Sequence, residues 1–203
     1  MSQEISLPPP QEQGRVTLEE AINQRRSIRD FTSESITLAQ LSQILQAAGG
    51  ISHTSRGRRT VPSAGATYPL EIFVLCGQNC VTALDAGIYY YNVDTHTLTL
   101  HHKGDARLEL SRAALSQSFI YDAPVDIIVC AEYERTARRY GKRAERYVHF
   151  EVGHAGQNIY LQATALGLGT VAVGAFFDEK VREVLQVDER YRPLYIMPVG
   201  KPA

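Results

Sequence analysis

The stretch from Glu145 to Leu166 most constrains how this chain can fold. Val148, Val152, Ala155, Ile159, Ala163 and Leu166 recur at three- and four-residue spacing, which predicts one long helix with a continuous apolar stripe. Beside it runs a polar stripe of Glu151, His154, Asn158 and Gln162, in which the Lys and Glu usual on a solvated face are scarce. Gly153 and Gly156 dispense with side chains at a cost of about 1 kcal/mol each relative to Ala, which points to another backbone packing close there. The pattern fits a helix packed inside one subunit with its polar stripe satisfied internally, or one that meets a second chain.

The flanking segments predict an α+β domain. Thr17 with Glu20 forms a capping box for a first helix that carries Leu18, Ala21 and Ile22 on one face and delivers Arg25 and Arg26 at its end. Thr37 with Gln40 opens a second, bearing Leu38, Leu41, Leu45 and Ala48 and stopped by Gly49 and Gly50. A long polar loop, Ile51 to Thr67, follows. Strands are expected at Ile72 to Cys76, in a hairpin of Gly87 to Val93 with Thr97 to His101, and at Asp126 to Ala131, Thr170 to Val173 and Leu194 to Val199. Further helices fall near Ala106 to Gln117 and Glu179 to Leu185. Strands and helices do not alternate regularly, and neither Gly65 nor Gly167-Leu168-Gly169 makes a G-x-G-x-x-G turn, so a doubly wound dinucleotide fold is disfavoured. Residues 1 to 14, with Pro8-Pro9-Pro10, read as a flexible, extended or disordered leader. Residues 15 to 203 read as one domain, long enough to bury roughly 70% of its unfolded surface.

Charge and cysteine usage narrow the function class. A net charge of −1 argues against a general nucleic-acid or anionic-membrane footprint. The basic runs Arg56-Gly57-Arg58-Arg59 and Arg135 to Arg146 read as solvated faces or phosphate-facing loops. No signal pattern and no apolar span of roughly 20 residues is present, so a cytoplasmic protein is expected. Cys76, Cys80 and Cys130 lack paired spacing, with Cys76 and Cys130 in apolar strands as inert thiols. The six histidines lack metal-ligand spacing, so no metal is expected.

Two motifs carry chemistry. Arg25-Arg26-Ser27-Ile28-Arg29 offers three guanidiniums and a hydroxyl within five residues, a charge-assisted donor set suited to a phosphate dianion. Pro62-Ser63-Ala64-Gly65-Ala66-Thr67-Tyr68-Pro69-Leu70-Glu71 offers small residues where backbone can approach a flat ring. With Arg146-Tyr147-Val148, Glu151-Val152-Gly153-His154, Gln157-Asn158, Leu166-Gly167-Leu168-Gly169, Val173-Gly174-Ala175-Phe176 and Pro198-Val199-Gly200-Lys201, these ordered matches span Thr17 to Lys201. Across that span the chain resembles the FMN-dependent nitroreductases, in the branch that includes the azoline-oxidising dehydrogenases of thiazole and oxazole peptide biosynthesis.

The resemblance implies a nitroreductase-like α+β fold, a mostly antiparallel central sheet flanked by helices, and a two-fold homodimer around the long helix. It implies that FMN is the cofactor, with its phosphate held by Arg25, Ser27, Arg29, Arg26 and Lys201. The Pro62, Ser63, Ala64 and Gly65 loop would lie along the isoalloxazine ring from the other subunit. Gln117 would contact the polar edge of the ring, and Gly174 and Ala175 would turn backbone N–H groups towards N5 and O4. The implied reaction draws electrons from NADH or NADPH and passes them to a small-molecule acceptor such as a nitroaromatic or quinone. Two alternatives are dehydrogenation of a bound substrate and flavin binding without turnover. Azoline dehydrogenases typically carry Lys-Tyr where this chain has Arg139-Tyr140, and Arg stays charged, so it is not an equivalent proton donor. Tyr140 and Tyr147 read first as amphipathic packing residues, and Glu151 and His154 as hydrogen-bonding each other or a partner chain; no general acid or base is assigned.

Overall fold

A computed structural model describes residues 4–53 and 57–203; Met1 to Gln3 of the leader, and Thr54 to Arg56 of the polar loop and first basic run, lie outside the described residues. In chain order the elements are β1 (Glu4–Ser6), α1 (Leu18–Gln24), α2 (Leu38–Gly49), β2 (Ile51–His53), β3 (Arg58–Arg59), β4 (Leu70–Cys76), β5 (Gly87–Asn92), β6 (Thr97–Lys103), α3 (Arg107–Ala113), α4 (Ser118–Asp122), β7 (Val125–Glu132), α5 (Tyr133–Tyr140), α6 (Ala144–Ala165), β8 (Gly169–Thr170), α7 (Asp178–Leu185) and β9 (Tyr191–Gly200). Short 3₁₀ turns cover Ala64–Ala66 and Gly141–Arg143.

Seven strands form one sheet in the order β1-β6-β5-β4-β7-β9-β8, with every pairing antiparallel. Strand β4 is buried along its whole length because both faces of the sheet are covered, which is why Ile72 to Cys76 read as an apolar run; the buried Glu71 before them is paired with Arg135. Ile72, Val74 and Cys76 face a core shared with Leu41, Leu45, Val148, Val152 and Ile159 of α2 and α6. Phe73 and Leu75 face a second core with Leu110, Ile120 and Val181 of α3, α4 and α7. This is the nitroreductase-like α+β arrangement, helices on both faces of an antiparallel sheet.

Both capping boxes form. Thr17 Oγ1 accepts from Glu20 N at 3.2 Å, and Thr37 Oγ1 from Gln40 N at 3.1 Å. Helix α2 does end at Gly49, though Gly50 is extended there. The predicted Ala106 to Gln117 helix breaks, because Leu115 and Ser116 take left-handed φ of 58° and 59°, and Gln117 instead opens α4. The predicted Thr170 to Val173 strand shrinks to Gly169–Thr170, with Val173 meeting Ile196 through an isolated bridge. Helix α5 was not expected from the sequence; its eight residues carry one buried side chain, Thr136, too few for an apolar stripe.

The leader needs correction over its described part. Glu4–Ser6 pair with Thr97–Thr99 as an edge strand, Leu7 is buried, and Ser42 Oγ donates to the Pro8 carbonyl at 2.6 Å. A three-residue strand and one anchoring Leu are below the level at which periodicity registers.

Candidate functional site

Helix α1 ends at Arg25, and the chain leaves it extended, with Ser27 bridging Thr170 and Ile28 N donating to the Thr170 carbonyl at 2.9 Å. Alternate residues of an extended segment share a face, so Arg25, Ser27 and Arg29 form one row while Ile28 packs on the other side against Gly169. Tyr160 of α6 organises this row. Its hydroxyl lies 3.0 Å from Ser27 Oγ and accepts from Ala172 N at 2.8 Å, and its ring lies 5.1 Å from the Arg25 guanidinium. Arg29 lies 5.8 Å from the ring of Phe119, which stands two residues after Gln117. Gln117 Nε2 donates to the Ala114 and Ala175 carbonyls at 2.8 and 3.1 Å, and Gly174 and Ala175 are exposed beside it. These contacts link Arg25 and Ser27 through Tyr160 to Ala172, and bring Arg29 to Phe119 of α4, the helix that Gln117 opens and from which it reaches Ala175.

The donor chemistry of the Arg25 row fits a phosphate dianion. Neither Arg25 nor Arg29 pairs with a carboxylate among the described residues. Arg26 differs: its Nη1 turns back to the Asn23 and Arg25 carbonyls at 2.9 and 2.8 Å, capping α1. Lys201 reaches the neighbourhood, since its carbonyl accepts from Thr32 N at 2.9 Å, but its ammonium is paired with Glu34.

The Pro62 to Gly65 loop sits elsewhere in the chain. Gly65 takes a left-handed φ of 59°, and a Cβ there would come within 2.6 Å of the Tyr140 hydroxyl. Its carbonyl accepts from Arg139 Nη1 at 3.0 Å, while Ser63 Oγ accepts from Tyr68 N at 2.9 Å. Arg135 Nη1 donates to the Tyr68 carbonyl at 3.0 Å, and Arg59 lies over the Tyr68 ring. The loop is thus fixed by α5 and the β2–β3 hairpin, and no hydrogen bond or ion pair joins Pro62 to Gly65 with Arg25, Ser27 or Arg29 among the described residues.

On α6 the apolar stripe is buried from Val148 to Ala163 as expected. The polar stripe splits. Asn158 donates to the Ala47 carbonyl at 3.1 Å, and Gln162 accepts from Gln43 Nε2 at 3.4 Å. Glu151 is buried while His154 is exposed, so the two do not bond each other. Burial pushes the Glu151 carboxyl up to about 7, with the Ser63 hydroxyl and the Arg59 charge partly opposing the shift. Gly156 is met by the Tyr195 ring, 3.2 Å from where a Cβ would stand, rather than by backbone, and Gly153 meets nothing within 4 Å. Phe150, Gly153, His154 and Gln157 form an exposed row on this central helix, and Leu18 and Ile22 of α1 are 60% and 53% exposed. A cavity of about 710 Å³ opens between α1, α2, α6 and Gln11 to Val16, away from the Arg25 row.

The sequence did not single out Tyr160 or Phe119. A Tyr between Ile159 and Leu161 reads as packing, and only the fold brings its hydroxyl to Ser27.

The profile of the nitroreductase family matches residues 22–201. The chain belongs to that family. Its relatives include the candidate nitroreductase MJ1384 of Methanocaldococcus jannaschii, 49% identical over 198 residues, covering 98% of this chain and 96% of that protein. The crystal structure of a candidate nitroreductase from Ralstonia eutropha superposes with a TM-score of 0.85 at 28% identity, covering 98% of this chain and 90% of the other. The trifolitoxin-processing protein TfxB of Rhizobium leguminosarum is 31% identical over 135 residues, 64% of this chain but 36% of TfxB. As a nitroreductase-family member the chain is an oxidoreductase, and no described helix is long and apolar enough to cross a membrane.

Proposed function

We propose that this nitroreductase-family protein is an FMN-dependent homodimer of the cytoplasm that passes electrons from NADH or NADPH to a nitroaromatic, quinone or similar electrophile. The observation that carries this reading is the row of Arg25, Ser27 and Arg29, continuous through Phe119 with Gln117 and the Gly174-Ala175 backbone. That row would hold the FMN phosphate, and the ring edge would lie at Gln117 and Gly174-Ala175. When bound, the flavin supplies a two-electron carrier that accepts and delivers a hydride equivalent. The chain's own part is to orient: Arg25 and Arg29, which pair with no carboxylate among the described residues, would fix the phosphate, and backbone N–H groups at Gly174 and Ala175 would stabilise negative charge without a side-chain acid. Lys201 would reach the phosphate only by giving up its pairing with Glu34. A second copy of the chain would cover the Phe150-to-Gln157 row and bring the Pro62 to Gly65 loop over the ring.

The sequence resemblance to the azoline-oxidising branch, together with similarity to TfxB, a trifolitoxin-processing protein, favours one second reading, a dehydrogenase acting on a bound azoline-type substrate. Arg139 in place of Lys weighs against it. Chromatography of heat-released cofactor, then anaerobic mixing with each nicotinamide, tests the proposal. We expect FMN, bleaching of the bound flavin, and parallel double-reciprocal lines with donor and acceptor, since two planar substrates cannot share one ring face. Released FAD, or intersecting lines, would overturn it. A flavin reduced by a peptide azoline and by neither nicotinamide would establish the second reading.

A further inference from the structure

Helix α5, the Gly141–Arg143 turn and the start of α6 carry Arg135, Arg138, Arg139, Lys142, Arg143 and Arg146 against Glu134 and Glu145. Six cations face two carboxylates in a chain whose net charge is −1. Arg135 is paired with Glu71 and Glu132, and Arg138 lies 3.6 Å from Glu134. Among the described residues, Arg139, Lys142, Arg143 and Arg146 pair with no carboxylate, and all four are exposed. Unpaired like charges held within two turns oppose folding through mutual repulsion, so local stability does not account for them.

Their place does. Arg139 Nη1 donates to the Gly65 carbonyl at 3.0 Å, which puts the first of the four on the loop assigned to the flavin ring, and the other three follow within seven residues of chain. Tyr140 and Tyr147 stack edge to face at 4.9 Å between centroids beside the same loop, an aromatic ledge next to the cations. Arg143 is the N-cap of α6 and already has helical backbone angles, so it stands four residues before Tyr147 at the spacing that places side chains on one face.

We propose that Arg139, Lys142, Arg143 and Arg146, with the Tyr140–Tyr147 pair, form an anion-selecting rim, so that the preferred substrate is a planar aromatic molecule carrying a phosphate or carboxylate. This rests on the reductase reading. Two sources share that chemistry: the 2′-phosphate of NADPH, and a carboxylated nitroaromatic or quinone acceptor. A surface carrying one sign of charge concentrates the opposite ion and loses that advantage as salt screens it.

The test compares the wild-type holoprotein with Arg143→Glu/Arg146→Glu in two matched pairs. One pair is NADP⁺ against NAD⁺, followed as binding by calorimetry. The other is 4-nitrobenzoate against neutral 4-nitrobenzyl alcohol, followed as the rate at which each reoxidises dithionite-reduced protein. We expect wild type to prefer the charged member of at least one pair, and that preference to fall as ionic strength rises from about 0.01 to about 0.5 M. Charge reversal should lower the preference about tenfold or more, and Arg143→Lys/Arg146→Lys should restore it. An effect confined to NADP⁺ assigns the rim to the donor phosphate, and one confined to nitrobenzoate assigns it to the acceptor. Should the double variant not fold, Lys142→Glu and Arg146→Glu alone are read in the same way. No charge preference in wild type, or a preference that survives reversal in a variant with normal flavin content, overturns the proposal. Should neither nicotinamide reduce the flavin, the reductase reading falls, while charge discrimination in the nitrobenzoate arm still decides the rim.

Discussion

The Arg25 row and the Pro62 to Gly65 loop were both assigned to one flavin from the sequence, yet the fold anchors them differently. The row is held by β8 and Tyr160, through the Thr170 carbonyl and the Ser27 and Ala172 contacts. The loop is held by α5, through Arg135 and Arg139, over the buried Glu151 of α6. Arg25 and Arg29 of the row pair with no carboxylate among the described residues; the loop has its Ser63, Ala64 and Gly65 carbonyls occupied and takes a left-handed glycine. Two halves built on separate supports suit a site completed between copies of the chain, with the exposed Phe150, Gly153, His154 and Gln157 face of α6 as the place where the copies meet.

The largest effect would come from separating the halves genetically. Arg25→Ala damages the row, and Gly65→Trp, entering where a Cβ already meets the Tyr140 hydroxyl, damages the loop. Each variant alone should be close to inactive. After subunit exchange in an equal mixture, about half of the dimers are mixed and each has one intact site, so activity should return to about a quarter of wild type. No recovery, or a monomer that retains its flavin, would break the comparison by returning both halves to one chain.

A smaller effect sharpens the role of the row. Removing one charge-assisted bond costs roughly 1.5 to 3 kcal/mol, so Arg29→Ala or Arg25→Ala should weaken flavin retention about ten- to a hundredfold in equilibrium dialysis. Arg26→Ala should change it less, because that guanidinium caps α1 in this structure. Equal losses for all three would show that charge alone, rather than the alternation of the extended segment, matters.

The loop half should respond to pH through Glu151. A carboxyl raised to about 7 when folded stabilises the protein fully below its ordinary range, and that contribution is lost as pH rises through the folded value. Denaturant unfolding of wild type should therefore lose on the order of 1 to 3 kcal/mol between about pH 4.5 and about pH 7, relative to Glu151→Gln, which should lack this component. Parallel pH profiles for the two proteins would remove Glu151 from the comparison.

Much of this architecture was legible locally. Capping boxes at Thr17 and Thr37 act within four residues, and the α6 stripe and the run of β4 report their own burial, so those elements formed as read. The chemistry of the Arg25 to Arg29 segment was also present in its letters, because extended backbone puts Arg25, Ser27 and Arg29 on one face wherever it lies. Elements whose stability comes from distant partners were not legible. Strand β1 exists because Thr97–Thr99 offered it an edge, α5 because it packs on α6 and the Gly65 loop, and the break at Leu115 because Gln117 turns to the Ala175 carbonyl.

The sequence by itself pointed to the family through its ordered motif matches, and it determined the fold class and the kind of donor set through periodicity, capping and side-chain chemistry. Only the tertiary structure decided that Tyr160 bridges Ser27 to Ala172, that Lys201 is occupied by Glu34, and that Glu151 lies buried near Ser63 rather than bonded to His154. Those outcomes depend on which side chains meet across long sequence separations, and a residue's own letter carries no record of its distant neighbour.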